Sequence, residues 1–245
     1  MHSLHGLRRA PRAVAGAAAV VLAAGCAAVA AETPPAETPV AAASAAVAAP
    51  APAGGAAGPA PAAPPVRPPA DRTDPRTETA RLTIPSIGLT DLRVVPYEGT
   101  TDDRAGTLVQ DRGVAASPYG EEGGVGPGEI GNYLVTAHRL SAGGPLRDLP
   151  SLDEGDSVLV TAGGTVYEYE ITGTRETSFR SEQSLAEQRA EVPGEPGEKP
   201  TRAMITLSTC ATPEDNAAGN YWRDSNNNPE HRIDKIGVLV SSRPS

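Results

Sequence analysis

From Arg76 to Ser245 the apolar residues come in short alternating runs, broken every few residues by Gly, Pro or Asp. Runs of that length and rhythm are half-buried strands rather than amphipathic helices. The candidates are Ala80–Ile84, Leu92–Pro96, Gly106–Val109, Gly131–Ala137, Ser157–Thr161, Val166–Thr172, Ala203–Ser208 and Ile233–Ser241. One weak helical patch covers Glu182–Arg189. Gly123-Gly124, Gly143-Gly144-Pro145 and Gly163-Gly164 mark turns, and the last pair joins two alternating runs as a hairpin would. The expected fold is therefore all-β, an eight-stranded barrel or sandwich with short helices. Aromatic residues make up only 3% of the chain, so Val, Ile and Leu must build most of the core.

The residues before this domain have a different character. Arg8, Arg9 and Arg12 precede an uncharged run from Ala13 to Ala31, the pattern of an export signal. The run is also long enough to span a bilayer, although Ala dominates it. Two anchoring readings stand side by side: an uncleaved membrane anchor, and a lipobox-like Leu22-Ala23-Ala24-Gly25-Cys26 that would lipidate Cys26. Both put the rest of the chain on the extracytoplasmic face of the cell membrane. From Glu32 to Pro75 the chain is mostly Pro, Ala, Thr and Gly, too poor in large apolar groups to offset its ordering entropy. A disordered linker is expected there, with a Pro-rich reach of up to roughly 130 Å. The expected division is thus 1–31 signal or anchor, 32–75 linker and 76–245 folded domain.

Charge narrows the function classes. From Arg76 onward 26 acidic residues face 16 basic ones, the opposite of a nucleic-acid footprint. Cysteine usage narrows them further. Cys26 and Cys210 are the only cysteines, and they lie in segments too different in character for a disulfide to be expected. An exported domain is then left with one lone thiol in an oxidising compartment, and catalysis is the obvious reason to keep it.

That thiol closes the run Ala203–Cys210, where Ile205 and Leu207 alternate with Thr206, Ser208 and Thr209. A free Cys is often only a small buried hydrophobe. Its company argues otherwise. His138 closes the run Asn132–Ala137, and His231-Arg232 stand just ahead of the last strand. One Cys, one His and one Arg at the borders of predicted strands can meet at one rim of a barrel. There is no Cys/His cluster of metal-ligand spacing, no phosphate-binding Gly loop and no G-x-S-x-G elbow, so no metal or cofactor is expected.

At these residues the chain resembles the sortases, cysteine transpeptidases of Gram-positive cell surfaces. Thr206-Leu207-Ser208-Thr209-Cys210 matches the family's TLxTC nucleophile motif. Thr136-Ala137-His138-Arg139 matches its histidine motif, and Arg232 matches its essential arginine. The order His, Cys, Arg also fits, and the resemblance runs from Arg81 to about Val240. It is most like class E of high-GC actinobacteria. One departure is the long stretch between Cys210 and Arg232, which carries Tyr221 and Trp222, the chain's single Trp.

The resemblance implies a sortase β-barrel with Cys210, His138 and Arg232 as catalytic residues. It further implies that Ala137, Ser208, Thr209 and Trp222 contact substrate. Cys210 would attack the Thr carbonyl of an LAxTG- or LPxTG-like sorting signal, and an amine would resolve the thioester. Only the thiolate is a strong nucleophile, His138 can carry the proton of the amine, and Arg232 can stabilise the oxyanion. Implied partners are secreted proteins bearing a C-terminal sorting signal and a peptidoglycan-precursor or pilin amine. The acidic residues Glu182, Glu187, Glu191, Glu195 and Glu198 read as a solvated surface rather than a calcium site. Papain-like hydrolases place Cys before His, the reverse of the order here. The remaining alternative is a non-catalytic exported β-domain lipoprotein that binds wall or protein ligands, with Cys210 merely buried.

Overall fold

The computed structural model describes residues 73–245. The expected export signal, Cys26 and nearly all of the linker lie outside the described residues. In chain order the elements are β1 (Ala80–Ile84), β2 (Leu89–Glu98), α1 (Arg104–Gln110), β3 (Ala115–Tyr119), β4 (Gly131–Thr136) and β5 (Ser157–Ala162). There follow β6 (Thr165–Ser178), α2 (Glu182–Arg189), β7 (Ala203–Cys210), α3 (Thr212–Ala217) and β8 (His231–Pro244). The strands close into one barrel in the order β1-β2-β3-β4-β7-β8-β6-β5. The eight-stranded all-β expectation is met.

Two pairs run parallel, β2 with β3 and β4 with β7, and every other neighbour is antiparallel. Parallel neighbours need a crossover. The first crossover contains α1; the second contains β5, β6 and α2. The hairpin expected at Gly163-Gly164 joins β5 to β6, with both glycines at positive φ (56° and 76°), as a tight primed turn requires. The helical patch at Glu182–Arg189 coincides with α2, which is capped by Ser181, whose side chain accepts from the Ser184 N–H.

One expected strand is wrong. Gly106–Val109 lies inside α1, capped by the Asp103 carboxylate accepting from the Gly106 N–H at 2.6 Å. The strand that fills its place is Ala115–Tyr119, whose Ala, Ser and Pro carry little β-propensity and are recruited by pairing with β2 and β4. The long stretch between Cys210 and Arg232 contains the short helix α3.

Inside the barrel, Leu82, Ile84, Val94, Tyr133, Val135, Val160, Tyr169, Ile171, Ile205 and Leu207 form the core. Each fully buried Val or Leu side chain contributes about 1.5–3 kcal/mol. Aliphatic residues dominate this core, but Tyr133 and Tyr169 are also fully inside it. The outer face of β7 is different. Thr206 and Ser208 alternate outward, and yet both are buried, because α2 and its flanks cover them. The polar groups are satisfied there: Thr206 donates to Asn132 Oδ1 at 2.8 Å, and Gln188 Nε2 donates to Ser208 Oγ at 3.2 Å. This buried polar layer leads directly to the thiol.

Candidate active site

Alternation along the strands brings the expected residues together. Cys210 shares the outer face of β7 with Thr206 and Ser208, and its register partner on β8 is Arg232. On the other flank β4 runs parallel to β7, with Thr136 opposite Ser208. The Ala137 N–H continues that ladder by donating to the Ser208 carbonyl at 3.2 Å, so His138 emerges beside Cys210. Arginine and histidine thus flank the half-buried thiol from two different neighbouring strands.

The arginine flank is closed. Arg232 is 2% exposed. Its Nη1 contacts Cys210 Sγ, while Nη2 donates to Asp102 Oδ1 at 2.7 Å and to Asn228 Oδ1 at 3.0 Å. The guanidinium lies over the Phe179 ring, 4.5 Å from its centroid. Burial works against its charge, but Asp102, Cys210 and Asp234 outweigh that, and its pKa lies above the ordinary arginine value. Beneath it Asp234 is fully buried and accepts from Thr177 Oγ1 at 2.6 Å and from Gln188 Nε2 at 3.0 Å. Burial raises the Asp234 pKa, and the bonds from Ser208, Thr177 and Gln188 oppose the rise.

The histidine flank is open. His138 and Cys210 border a cavity of about 360 Å³, also lined by Thr107, Asp111, Arg223 and Asn226. His138 Nε2 lies 2.9 Å from Asp111 Oδ1, and that carboxylate is 55% exposed. The imidazole pKa is raised, first through hydrogen bonding to Cys210 and then to Asp111, against the opposing effect of burial. A larger cavity of about 550 Å³ lies between the β3–β4 and β6–β7 segments, lined by Glu121, Glu122, Glu191 and Glu198 among others. It includes neither Cys210 nor His138. Among the described residues no three His, Cys, Asp or Glu side chains are arranged to hold a metal ion.

The other expected site residues sit differently. Ala137, Ser208 and Thr209 are buried, and Thr209 Oγ1 donates to the Ala137 carbonyl at 2.8 Å. The Thr209 side chain ties β7 to the end of β4, Ser208 Oγ is taken by Gln188 Nε2, and none of the three side chains faces solvent. Trp222 is half-exposed in the β7–β8 segment, with Arg180 6.0 Å from its ring centroid, and it does not line the Cys210 cavity. Arg139 is a clamp: it donates to the Cys210 carbonyl, to the Arg147 carbonyl and, with both Nη atoms, to Glu214 of α3. Asp102, Asp111, Gln188 and Asn228 were not expected at the site. Asp102 stands 130 residues from Arg232 in sequence and Asp111 27 from His138, so no local spacing announces either.

Residues 82–223 match the Sortase domain family. The chain belongs to the sortase family. Sortases are cysteine transpeptidases, and this chain is an enzyme of that type. Among solved structures it is similar to the SrtA sortase of Actinomyces oris, at 24% identity and a TM-score of 0.52, over 68% of this chain and 82% of that one. It is also similar to sortase E1 of Streptomyces coelicolor, solved with a tripeptide in its active site. That match has 24% identity and a TM-score of 0.51, over 71% of this chain and 94% of that one. Both comparisons bear on the sortase barrel itself. No curated protein matches the chain.

Proposed function

We propose that this sortase cleaves an LAxTG- or LPxTG-like sorting signal between Thr and Gly and passes the acyl group to a cell-surface amine. The observation that carries this is the pair of flanks on one thiol. A fixed guanidinium contacts Cys210 Sγ on one side, and a titratable imidazole borders an open cavity on the other. Cys210 attacks the Thr carbonyl, and its thiolate pairs with Arg232 before the attack. As the bond forms, charge moves from sulfur to the carbonyl oxygen, and Arg232 Nη1 stands close enough to follow it. His138, with its pKa raised, holds a proton to give the departing Gly amine. The same nitrogen then takes a proton from the incoming amine. The open cavity on the His138 side gives that amine a route to the thioester.

In this reading the enzyme is most like the class E sortases, the class of the Streptomyces coelicolor sortase E1 whose barrel it resembles. The partners are secreted proteins carrying a C-terminal sorting signal and the amine of a peptidoglycan precursor or pilin. The enzyme works on the extracytoplasmic face of the membrane, held there by the segment before Ala31 or by lipidated Cys26. The test is the full-length chain with LAxTG and LPxTG peptides, with and without a small amine, read by mass spectrometry. An acyl adduct on Cys210 that passes to the amine is the expected result, and Cys210→Ala abolishes it. Turnover by Cys210→Ala would overturn the reading. Cleavage without amine product would make the chain a peptidase.

A further inference from the structure

Asp102 is an expensive residue to keep where it stands. It has a positive φ of 63°, in the left-handed region that strains a non-glycine residue. It is 7% exposed, and its Oδ2 is buried with no hydrogen-bond partner. Strain and an unsatisfied buried carboxylate oxygen both subtract from stability. Nothing in the barrel's hydrophobic core requires either.

The turn that carries Asp102 is braced from several directions. Thr101 Oγ1 donates to Gln188 Oε1 at 2.9 Å, and Arg189 Nη1 donates to Thr100 Oγ1 at 2.9 Å, so α2 holds both preceding residues. The Thr100 N–H donates to Asp103 Oδ2 at 3.1 Å, and Tyr97 donates to the Thr100 carbonyl. All this fixes one oxygen, Asp102 Oδ1, at 2.7 Å from Arg232 Nη2. Asn228 Oδ1 takes the same nitrogen at 3.0 Å. A guanidinium is a rigid planar fork, so fixing Nη2 and laying the plane on Phe179 also fixes where Nη1 points. It points at Cys210 Sγ.

We propose that Asp102 is a positioning residue for the transpeptidation: it anchors Arg232 through Nη2 so that Nη1 is held on the reacting sulfur. Asp102 touches neither sulfur nor substrate, and its effect passes through Arg232. The inference rests on the sortase reading of Cys210 and Arg232 given above.

The test uses the full-length chain with a sorting-signal peptide and an amine acceptor. Asp102→Asn keeps the volume and removes the charge. It lowers kcat by about tenfold or more and leaves KM within about twofold, as expected for an interaction made chiefly in the transition state. In an Arg232→Ala background the same substitution costs nothing further, because there is no guanidinium left to aim. The exchange Asp102→Asn with Asn228→Asp returns a carboxylate to the same Nη2 and restores most of kcat. It also keeps the buried charge balanced, so it remains informative if the single variant fails to fold. Independent losses in the two backgrounds, an exchange variant as slow as Asp102→Asn, or a single variant as active as its parent would each overturn the proposal. Iodoacetamide alkylation of Cys210 needs no sorting signal and separates the two readings. If the parent chain does not turn over peptide, the function proposed above fails. Slower alkylation in Asp102→Asn, seen only when Arg232 is present, would still support the positioning role, and equal rates would end it.

Discussion

Cys210 has two cationic neighbours, and they are built in opposite ways. Arg232 is sealed against solvent, stacked on Phe179 and bonded through Nη2 to Asp102 and Asn228. His138 borders an open cavity and leans on a single carboxylate, Asp111, that is itself mostly exposed. The contrast divides the chemistry. A guanidinium does not titrate in the working range, so it can serve as a fixed charge and a fixed donor. An imidazole does titrate there, and it must meet a leaving amine and then an incoming one. The immobile half of the site is bolted to the barrel, and the half that exchanges protons faces the cavity.

Arg232→Lys is the sharpest way to break the closed flank. A lysine keeps the charge, but one ammonium cannot hold Asp102, Asn228 and Cys210 Sγ in fixed directions at once. The loss of an aimed donor at a developing oxyanion costs roughly 10²–10³ in kcat. Single-turnover acylation of Arg232→Lys should therefore fall by about that factor. A variant within a fewfold of the parent would show that charge alone, without direction, is what the thiol needs.

Much of this site was legible in the sequence, for local reasons. The period-2 run into Cys210 and the run into His138 each specify a strand end, and the matched motifs placed Arg232 opposite them. The layer that supports them was not legible. Gln188 reaches Thr101, Ser208 and Asp234 from a helix whose sequence is nearly all polar, and nothing in that helix marks which polar side chain is buried. Thr206 and Ser208 alternate with Ile205 and Leu207 and so face outward, but the surface they face is α2 rather than water. Gly106–Val109 misled because so short a run, Gly-Thr-Leu-Val, fits either period, and Asp103, its helix cap, decides the matter.

Gln188 offers a smaller and slower-acting break of the same flank. Gln188→Ala removes the amide donors from Asp234 and the acceptor from Thr101, and a buried group left unsatisfied costs about 1–3 kcal/mol. The pH dependence has a definite sign. Asp234 has a folded-state pKa above its ordinary value because burial disfavours the anion, and Gln188 is one of the donors that opposes the rise. Ionised Asp234 therefore lowers stability as pH rises from the unfolded carboxylate range through its folded pKa. Without Gln188 that loss deepens. Denaturant unfolding should find the variant further below its parent at neutral pH than at acid pH. An equal deficit at both would remove Asp234 from the account.

Asp111→Asn probes the open flank, where the expected change in stability is smallest. The carboxylate is 55% exposed, and exposed ion pairs of this kind contribute about 0–1 kcal/mol, so unfolding should hardly move. The pH profile should move instead. Hydrogen bonding to Cys210 and then Asp111 raises the His138 pKa, so the imidazolium persists to higher pH than an ordinary histidine. Its contribution to folding is accordingly present at acid pH and lost as pH rises through the folded pKa. Removing the Asp111 charge takes away one of the two supports and leaves burial opposing the charge. The alkaline limb of acylation, where His138 must still hold a proton, should then shift to lower pH with the acid limb in place. Stability lost without a shift of that limb would make Asp111 a structural partner of the loop after β4. A shifted limb on an unchanged unfolding curve would make it the group that keeps the proton on His138.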